Sequence, residues 1–353
     1  MHTITRRIDL NVGTTCNLRC KFCYYSKGLS RPKDLSTAGC KALIRKHRLS
    51  GMETLEFTGG EPTVRADLFE LVEFALKQGF KNVSMITNGL RLSEKQYARR
   101  LVECGVADFL LSLHGSTCLI HDGITGVSGS FDRLLEAVGN LSAMGVKPRL
   151  NSVVTSSNVS DVYERAVLAR KIGIKTLNFI MFNPLDDADT RDPGNFVSYP
   201  EAAMELKRVI GDMGGYFEKL TIRYMPLCAL PGYEKYIQNV QQVHFDHDEW
   251  NYYRHAYVKY GGIKWACGVV LGLLLLPDKR SWMKLGFYQA KHAAILTAHS
   301  WFNKRRMPAC KGCSYGFICG GIWKKYAHKS GSDALKAVPG RLIIEPWHFI
   351  DHV

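Results

Sequence analysis

Apolar and polar positions follow two alternating periods along the first half of the chain. Short apolar runs are each followed by a longer stretch in which apolar residues recur every three or four positions. The first pattern is typical of buried strands and the second of helices that cover a sheet. The predicted strands cover residues 7–12, 54–57, 82–86, 108–113, 147–154 and 176–181. The predicted helices between them cover residues 36–50, 67–78, 94–104, 130–144 and 159–172.

Regular alternation of strands and helices predicts a parallel sheet built from βα units. Six units are fewer than the roughly eight of a complete barrel, so the predicted fold is α/β, a partial (β/α)6 barrel. The pattern breaks after Phe182: a loop is predicted over 183–200, a helix over 201–213 and a basic helical region over 283–305, while 221–265 stay unassigned. The predicted domains are a barrel (1–190), a linker and helical region covering it (191–300), a cysteine-rich module (301–335) and a tail (336–353).

Composition agrees with a folded soluble domain. Of 353 residues, 46% are hydrophobic and 22% charged, which excludes a disordered or collagen-like chain. The start of the sequence has no apolar leader, and the apolar run 266–277 is shorter than the roughly 20 residues that cross a bilayer. A cytoplasmic protein without a membrane span is therefore predicted.

The chain is also strongly basic, with 47 Lys and Arg against 32 Asp and Glu, a net charge of +15. Such a surface can steer an anionic substrate or an acidic electron donor such as flavodoxin or ferredoxin. No aromatic and basic pattern of a nucleic-acid-binding protein is evident, so no nucleic-acid partner is predicted.

Eleven cysteines are unusual for this length, and in a reducing compartment they indicate metal binding or catalysis rather than disulfides. Cys16, Cys20 and Cys23 follow the first predicted strand with the spacing C-x3-C-x2-C. Three thiolates on one loop can hold three irons of a cubane cluster and leave one metal position open for a substrate. The alternative is a zinc knuckle that a His or Cys from elsewhere completes.

The cysteine spacing resembles the loop of the radical S-adenosylmethionine (radical SAM) superfamily, which follows the first strand of a partial (β/α)6 barrel. Phe22, the aromatic residue before the third cysteine, is also typical of that family. The resemblance implies a [4Fe-4S] cluster whose open iron binds S-adenosylmethionine. It also implies an enzyme that cleaves S-adenosylmethionine to a 5′-deoxyadenosyl radical, which abstracts a substrate hydrogen.

A second motif, Thr-Gly-Gly-Glu-Pro-Thr at residues 58–63, follows the second predicted strand and resembles the GGEP turn of the same family. Gly59 and Gly60 permit a close approach of the backbone, and Pro62 stiffens the turn. The resemblance implies that the turn, with the carboxylate of Glu61, holds the methionine ammonium group of S-adenosylmethionine.

Further polar residues occur on the next three predicted strands, mostly at their ends. Thr87 and Asn88 resemble the family's TNG turn, and Ser112 ends the fourth strand. The resemblance implies that Ser112 meets the carboxylate or ribose of S-adenosylmethionine, Asn151 the ribose and Arg149 the carboxylate. The carboxyl ends of the strands are where a parallel barrel keeps its active site. The resemblance covers about residues 8–182.

Cys310, Cys313 and Cys319 form a second cysteine group with the pattern C-x2-C-x5-C-x-G. It resembles the SPASM and twitch modules, which carry auxiliary [4Fe-4S] clusters. Trp323 stands where a full SPASM module has its next cysteine, and no cysteine follows Cys319, so one auxiliary cluster is predicted rather than two. A zinc site is again the alternative.

A complete auxiliary cluster needs a fourth thiolate. Cys228 is the first candidate and Cys267 the second. The remaining cysteines are expected to be inert thiols. The polar stretch 244–250 is predicted to be a surface loop, with a substrate loop as the alternative.

The predicted function is radical SAM catalysis aided by the auxiliary cluster, on a small, sugar-like or anionic molecule. The alternative is maturation of a ribosomal peptide. Peptide maturases often carry a recognition domain before the cysteine loop, and here the loop begins at residue 16, which favours a small molecule or a peptide delivered by a separate protein. A non-catalytic zinc or iron-sulfur protein is the alternative of a different class, and the GGEP and TNG turns argue against it.

Overall fold

A computed structural model describes residues 3–23, 34–183, 195–239, 242–251, 304–330, 335–345 and 347–350, with isolated positions between 252 and 303. Eight parallel strands form one curled sheet in the order of the sequence, β1 to β8, so the predicted α/β half-barrel is confirmed. The strands are β1 (Arg7–Asn11), β2 (Thr54–Thr58), β3 (Asn82–Thr87), β4 (Val106–Ser112), β5 (Arg149–Val154), β6 (Thr176–Met181), β7 (Lys219–Arg223) and β8 (Ile237–Gln238).

Helices follow most of the strands and cover the outer face of the sheet. The described helices are α1 (Thr37–Leu49), α2 (Leu68–Lys77), α3 (Lys95–Glu103), α4 (Cys118–Thr125), α5 (Ser130–Ala143), α6 (Val162–Lys171), α7 (Tyr199–Met213) and α8 (Lys324–Ser330). No helix in the described ranges is long and apolar enough to cross a membrane.

Local sequence explains where these helices begin and which face they bury. On α2, the buried Leu68, Leu71, Val72 and Ala75 recur at helical spacing and pack against the sheet. The start of α5 is fixed by the carboxylate of Asp122, which accepts hydrogen bonds from the backbone N–H groups that would otherwise lack partners.

The last two strands were not predicted. In β7 the sequence Lys-Leu-Thr-Ile-Arg alternates charged or polar residues with apolar ones, because one face of the strand lines the polar interior of the barrel. Strand β7 pairs along its whole length with β6, and the two residues of β8 extend the sheet. The sheet therefore has more strands than the six predicted.

Ion pairs fill the barrel interior near the amino ends of the strands. Arg7 on β1 donates to Glu56 (2.9 Å) and Asp108 (3.0 Å), both from strands of the same sheet. Arg149, at the start of β5, donates from Nε to Asp108 (2.7 Å). Across the interior, Lys219 contacts Asp246 at 2.5 Å.

The polar stretch 244–250 lies at this amino end of the barrel, which we call its base. Its prediction as a surface loop was therefore wrong. His244 and Glu249 are almost fully buried, and Glu249 pairs with Arg223. The stretch is fixed next to β1. Thr5 N, just before the strand, donates to His244 O (2.8 Å), and Trp250 forms a parallel β-bridge with Arg7. Asp246 and Glu249 are buried because Lys219 and Arg223 of the barrel interior pair with them, whereas the side chain of Asp248 is 44% exposed.

The cysteine-rich module contains a two-stranded antiparallel ribbon. Strands β9 (Lys304–Arg305) and β10 (Ile322–Trp323) pair, and α8 follows β10 directly. The helix predicted over 283–305 is therefore wrong at its last two residues, which belong to β9. The rest of that prediction, like most of the apolar run 266–277, lies outside the described residues. The division into domains stays a prediction.

Candidate active site

The first cysteine group lies on a loop, residues 12–23, that leaves the carboxyl end of β1. Asp34 fixes the first half of this loop, since its Oδ1 accepts from Thr14 N (2.7 Å) and Thr15 N (3.1 Å). The second half is held by α4, because Arg19 N donates to Thr125 O (2.8 Å) and Lys21 N to Ile124 O (3.0 Å). The loop thus has a fixed backbone on both sides of Cys16.

The three thiols of this loop lie at the mouth of the barrel and influence one another. Burial, and then the nearby Cys23 and Cys16 thiols, raise the pKa of Cys20 to about 12. Burial also raises the pKa of Cys16, whose sulfur accepts from Leu18 N at 3.4 Å. Cys16 and Cys20 therefore favour the protonated form near neutral pH, and metal binding would release their protons.

The GGEP turn after β2 packs directly on the cysteine loop. Gly60 N donates to Gly13 O (2.8 Å) and Glu61 N to Thr15 O (2.9 Å). A Cβ atom on Gly60 would lie 2.2 Å from Thr15 O, and Gly59 has a φ of +125° that favours glycine. Both glycines are therefore required by the contact between the two loops.

Glu61 is buried and joins the GGEP turn to the TNG turn. Its Oε1 accepts from Thr63 N (3.0 Å), Thr63 Oγ1 (2.6 Å) and Thr87 Oγ1 (2.7 Å), and its Oε2 accepts from Asn88 N (2.7 Å). Burial raises the pKa of Glu61, while these hydrogen bonds lower it. The carboxylate thus organises two turns of the site, in addition to the ligand contact predicted for it.

Asn88 connects the TNG turn to the cysteines. Its Nδ2 donates to Asn17 Oδ1 at 2.7 Å and lies 3.9 Å from the sulfur of Cys16. Its Oδ1 accepts from Leu90 N at 3.0 Å, which fixes the orientation of the amide. Cys16, Glu61, Thr87 and Asn88 therefore form one hydrogen-bonded cluster, as their order along the sequence predicted.

Phe22 rests on a buried histidine that the sequence did not single out as a site residue. The rings of Phe22 and His114 meet edge to face with centroids 4.7 Å apart. His114 Nδ1 accepts from Val153 N at 3.3 Å, and burial holds the pKa of His114 well below its usual value. His114 is thus a neutral ring that fixes the position of Phe22.

A row of polar side chains crosses the middle of the sheet. Ser112, Asn151, Asn178 and Thr221 occupy paired positions on four adjacent strands. Thr221 Oγ1 donates to Asn178 Oδ1 at 2.6 Å, whereas the buried Oδ1 of Asn151 has no hydrogen-bond partner among the described residues. A buried polar atom without a partner is a feature of a ligand-binding site.

Arg149 is not brought together with these residues. It is the first residue of β5, and its guanidinium is held by Asp108 in the base of the barrel. Asn151, two positions further along the same face of β5, is the residue that reaches the polar row. The contact between Arg149 and the carboxylate of S-adenosylmethionine that the resemblance implied is therefore not part of our proposal.

The second cysteine group surrounds a cavity next to the end of β7. Cys228 lines this cavity together with Cys310, Cys313 and Cys319, while Cys267 does not and is exposed. Burial, and then the nearby Cys319 thiol, raise the pKa of Cys228 to about 11. The structure thus brings the first candidate for the fourth thiol to the other three.

Four cysteines belong to neither group. Cys40 is buried and Cys104 partly buried, whereas Cys118 and Cys267 are exposed. These four were expected to be buried or inert thiols, and for the two exposed ones inertness stays a prediction.

The donor sets fit iron-sulfur clusters better than single ions. Across the described ranges, no three His, Cys, Asp or Glu side chains converge at the spacing of one metal ion. The thiolates of a cubane bind different irons and stand further apart than the four ligands of one zinc. Three thiols on one loop, and four around a cavity, are the soft donors that such clusters require.

Comparison with known proteins identifies the domain that carries this site. Residues 10–159 match the model of the radical SAM superfamily. This part of the chain is therefore a radical SAM domain, the domain of an enzyme superfamily, and the resemblance predicted from the sequence is confirmed. Membership implies a [4Fe-4S] cluster and S-adenosylmethionine as cofactors, and the residues described above fit both.

Particular relatives differ in what they act on. The chain is 37% identical over 170 residues to mycofactocin maturase MftC of Mycobacterium tuberculosis, which covers 48% of this chain and 42% of that protein. It is 30% identical over 178 residues to the AdoMet-dependent heme synthase of Nitratidesulfovibrio vulgaris, covering 50% and 48%. The chain thus spans about half the length of these curated relatives.

A solved structure extends the similarity in fold to nearly the whole chain. The structure of anSMEcpe with bound AdoMet and the Kp18Cys peptide covers 94% of this chain and 92% of its own, with a TM-score of 0.58 and 18% identity. At this identity the likeness concerns the fold alone. It includes the region that follows the barrel as well as the radical SAM domain.

The contact between the GGEP turn and the cysteine loop supplies a test. We expect Gly60→Ala to impair cluster binding, because the added Cβ would lie 2.2 Å from Thr15 O. Iron content after anaerobic reconstitution measures this effect. The control is Gly139→Ala in α5, where a Cβ meets nothing within 4 Å and the helix gains about 0.5–1 kcal/mol. Equal iron content in the two variants would contradict the proposed packing role of Gly60.

Proposed function

We propose that the protein is a radical SAM enzyme that uses an auxiliary [4Fe-4S] cluster and acts on a peptide. One arrangement carries the proposal: a loop with three thiols and the GGEP turn pack together at the carboxyl end of one parallel barrel, whose strands also carry a row of polar residues. That is the end at which parallel barrels bind their substrates.

Each part of the site has a role in this proposal. Cys16, Cys20 and Cys23 would hold three irons and leave the fourth for S-adenosylmethionine. When bound, the reduced cluster and S-adenosylmethionine supply a 5′-deoxyadenosyl radical, which abstracts a hydrogen atom from the substrate. Asn151 would offer its unpartnered Oδ1 to the ribose.

The surrounding residues hold this site in place. Glu61 keeps the GGEP and TNG turns together, and the backbone of the GGEP turn would hold the methionine ammonium. The ring of Phe22, on the cysteine loop, is fixed by His114. Ser112 presents its hydroxyl beside Asn151 and is proposed to meet the carboxylate or ribose.

The auxiliary cluster rests on the cavity that four thiols share. We assign Cys228 as the fourth ligand with Cys310, Cys313 and Cys319, since all four line one cavity and all four are partly buried. A cluster with four thiolates has no open iron, so its role would be to accept or pass an electron rather than to bind substrate.

Iron content distinguishes these clusters from zinc sites. We expect anaerobically reconstituted protein to contain about eight irons per chain with matching sulfide, because each cubane holds about four. Metal analysis and sulfide determination measure this directly. Stoichiometric zinc without iron would contradict the proposal, and about four irons would leave only the first cluster.

The relatives favour a peptide over the small molecule that the sequence favoured. MftC is a maturase, and the anSMEcpe structure that covers nearly the whole chain contains a peptide. The heme synthase shows that this domain also serves small molecules, so the small-molecule substrate is the other outcome.

The substrate class can be tested with a short peptide encoded beside the gene. We expect this peptide to stimulate 5′-deoxyadenosine formation, with a scrambled peptide of the same composition as the control. Stimulation by a protease-treated fraction of small metabolites, and not by the peptide, would support the small molecule instead. The electron donor and the cytoplasmic location stay predictions.

A further inference from the structure

Lys304 is a buried cation without a carboxylate partner among the described residues. It lies on β9 opposite Trp323, is 4% exposed, and places its Nζ 5.4 Å from the centre of the Trp323 ring. Taking a charge out of water without an opposite charge is costly, so such lysines are rare in proteins. The position of Lys304 therefore calls for an explanation.

The segment that follows Lys304 lines the cavity that holds the second cysteine group. Arg306, two residues further on, lines this cavity, as do Gly321 and Ile322 at the start of β10. The two strands are in close contact, because a Cβ on Gly321 would lie 2.5 Å from Arg305 O. Lys304 thus lies on a strand that leads directly into the wall of this cavity.

Electrostatics couple Lys304 to that cysteine. Burial lowers the pKa of Lys304, the Cys319 thiol opposes this effect, and the pKa is about 8 as a result. A cubane with four thiolates carries a net negative charge, which grows by one electron when the cluster is reduced. A buried ammonium group beside it stabilises the more negative, reduced state, because little water screens the interaction.

We propose that Lys304 is the charge partner of the auxiliary cluster and raises its reduction potential. This inference rests on the auxiliary cluster of the proposed function. It assigns Lys304 a tuning role through charge, not a contact with the substrate.

The test uses the full chain with Cys16→Ala, Cys20→Ala and Cys23→Ala, so that the auxiliary cluster is the single iron centre. A redox titration followed by electron paramagnetic resonance gives the midpoint potential, and metal analysis gives the iron content. In this background we compare Lys304→Met, which has similar volume but no charge, with Lys304→Arg. The control is Lys324→Met, which removes an exposed charge near the same strand.

We expect Lys304→Met to make reduction at least about tenfold less favourable, a shift of about 59 mV to lower potential. Lys304→Arg and Lys324→Met should stay close to the parent, the first because the charge is kept and the second because water screens it. An unchanged potential in Lys304→Met with full iron content would overturn the tuning role of Lys304. The auxiliary cluster of the proposed function would still stand.

Two other outcomes would also overturn the tuning role. Loss of iron in Lys304→Met, with iron kept in Lys304→Arg, would show that the charge is needed to hold the cluster rather than to tune it. Absence of iron from the parent itself would show that no auxiliary cluster forms, and would refute that part of the proposed function as well.

Discussion

Cys20→Ala is expected to reduce the reductive cleavage of S-adenosylmethionine by at least about a thousandfold, which corresponds to about 4 kcal/mol in the activation barrier. The thiol of Cys20 is buried beside Cys16 and Cys23, which raises its pKa to about 12. Its removal takes away one of three iron ligands, and two thiolates do not hold a cubane at an open site. Formation of 5′-deoxyadenosine with dithionite as the reductant measures the effect.

A matched control is available on the neighbouring helix. Cys118 is exposed at the start of α4 and belongs to neither cysteine group, so Cys118→Ala should keep full cleavage and full iron content. Cleavage at the parent rate in Cys20→Ala would refute the assignment of the first cluster.

The second large effect concerns the fourth thiol of the auxiliary cluster. We expect Cys228→Ala to lower the iron content by up to about four per chain, because the variant leaves three thiols around the cavity. The first cluster should persist, and with it some cleavage of S-adenosylmethionine in the absence of substrate. Iron and sulfide analysis, together with the visible absorption spectrum, measures the loss.

Cys267→Ala is the control for this experiment, since Cys267 was the second candidate and is exposed away from the cavity. It should retain all of its iron. Unchanged iron in Cys228→Ala with a loss of iron in Cys267→Ala would show that Cys267, and not Cys228, is the fourth ligand.

The first six strands could be predicted from the sequence because each is an apolar run followed by an amphipathic helix. Every predicted strand overlaps an observed one, from β1 to β6. Strand β7 could not be predicted in this way, since its inward residues pair with acidic groups far along the chain. The same pairing explains why the stretch 244–250 resembled a surface loop: the sequence shows its charges but not the cations it meets.

Site residues could be predicted where a sequence motif fixes the local backbone. They could not be predicted where the role of a residue depends on its position along a strand. The cysteine loop and the two glycine-containing turns form one cluster, as their order indicated. Arg149 and Asn151 differ by two residues, yet one lies in the ion pairs of the base and the other in the polar row. Only the register of β5 separates these two environments.

The supporting residues of the site carried no recognisable signal. Asp34 holds the cysteine loop from across a segment outside the described residues, and His114 fixes Phe22 from the end of β4. Each is a common residue type whose partner is a backbone group or an aromatic ring. Their roles follow from the three-dimensional contacts alone.

The ion pairs in the base of the barrel alter the electric field that the protein presents to its surroundings. They join four cations, Arg7, Arg149, Lys219 and Arg223, to five carboxylates, Glu56, Asp108, Asp246, Asp248 and Glu249. Cations and carboxylates in the base nearly cancel one another in charge, so the net charge of +15 comes almost wholly from groups elsewhere in the chain. The long-range attraction of these groups for an anionic partner weakens as salt concentration rises.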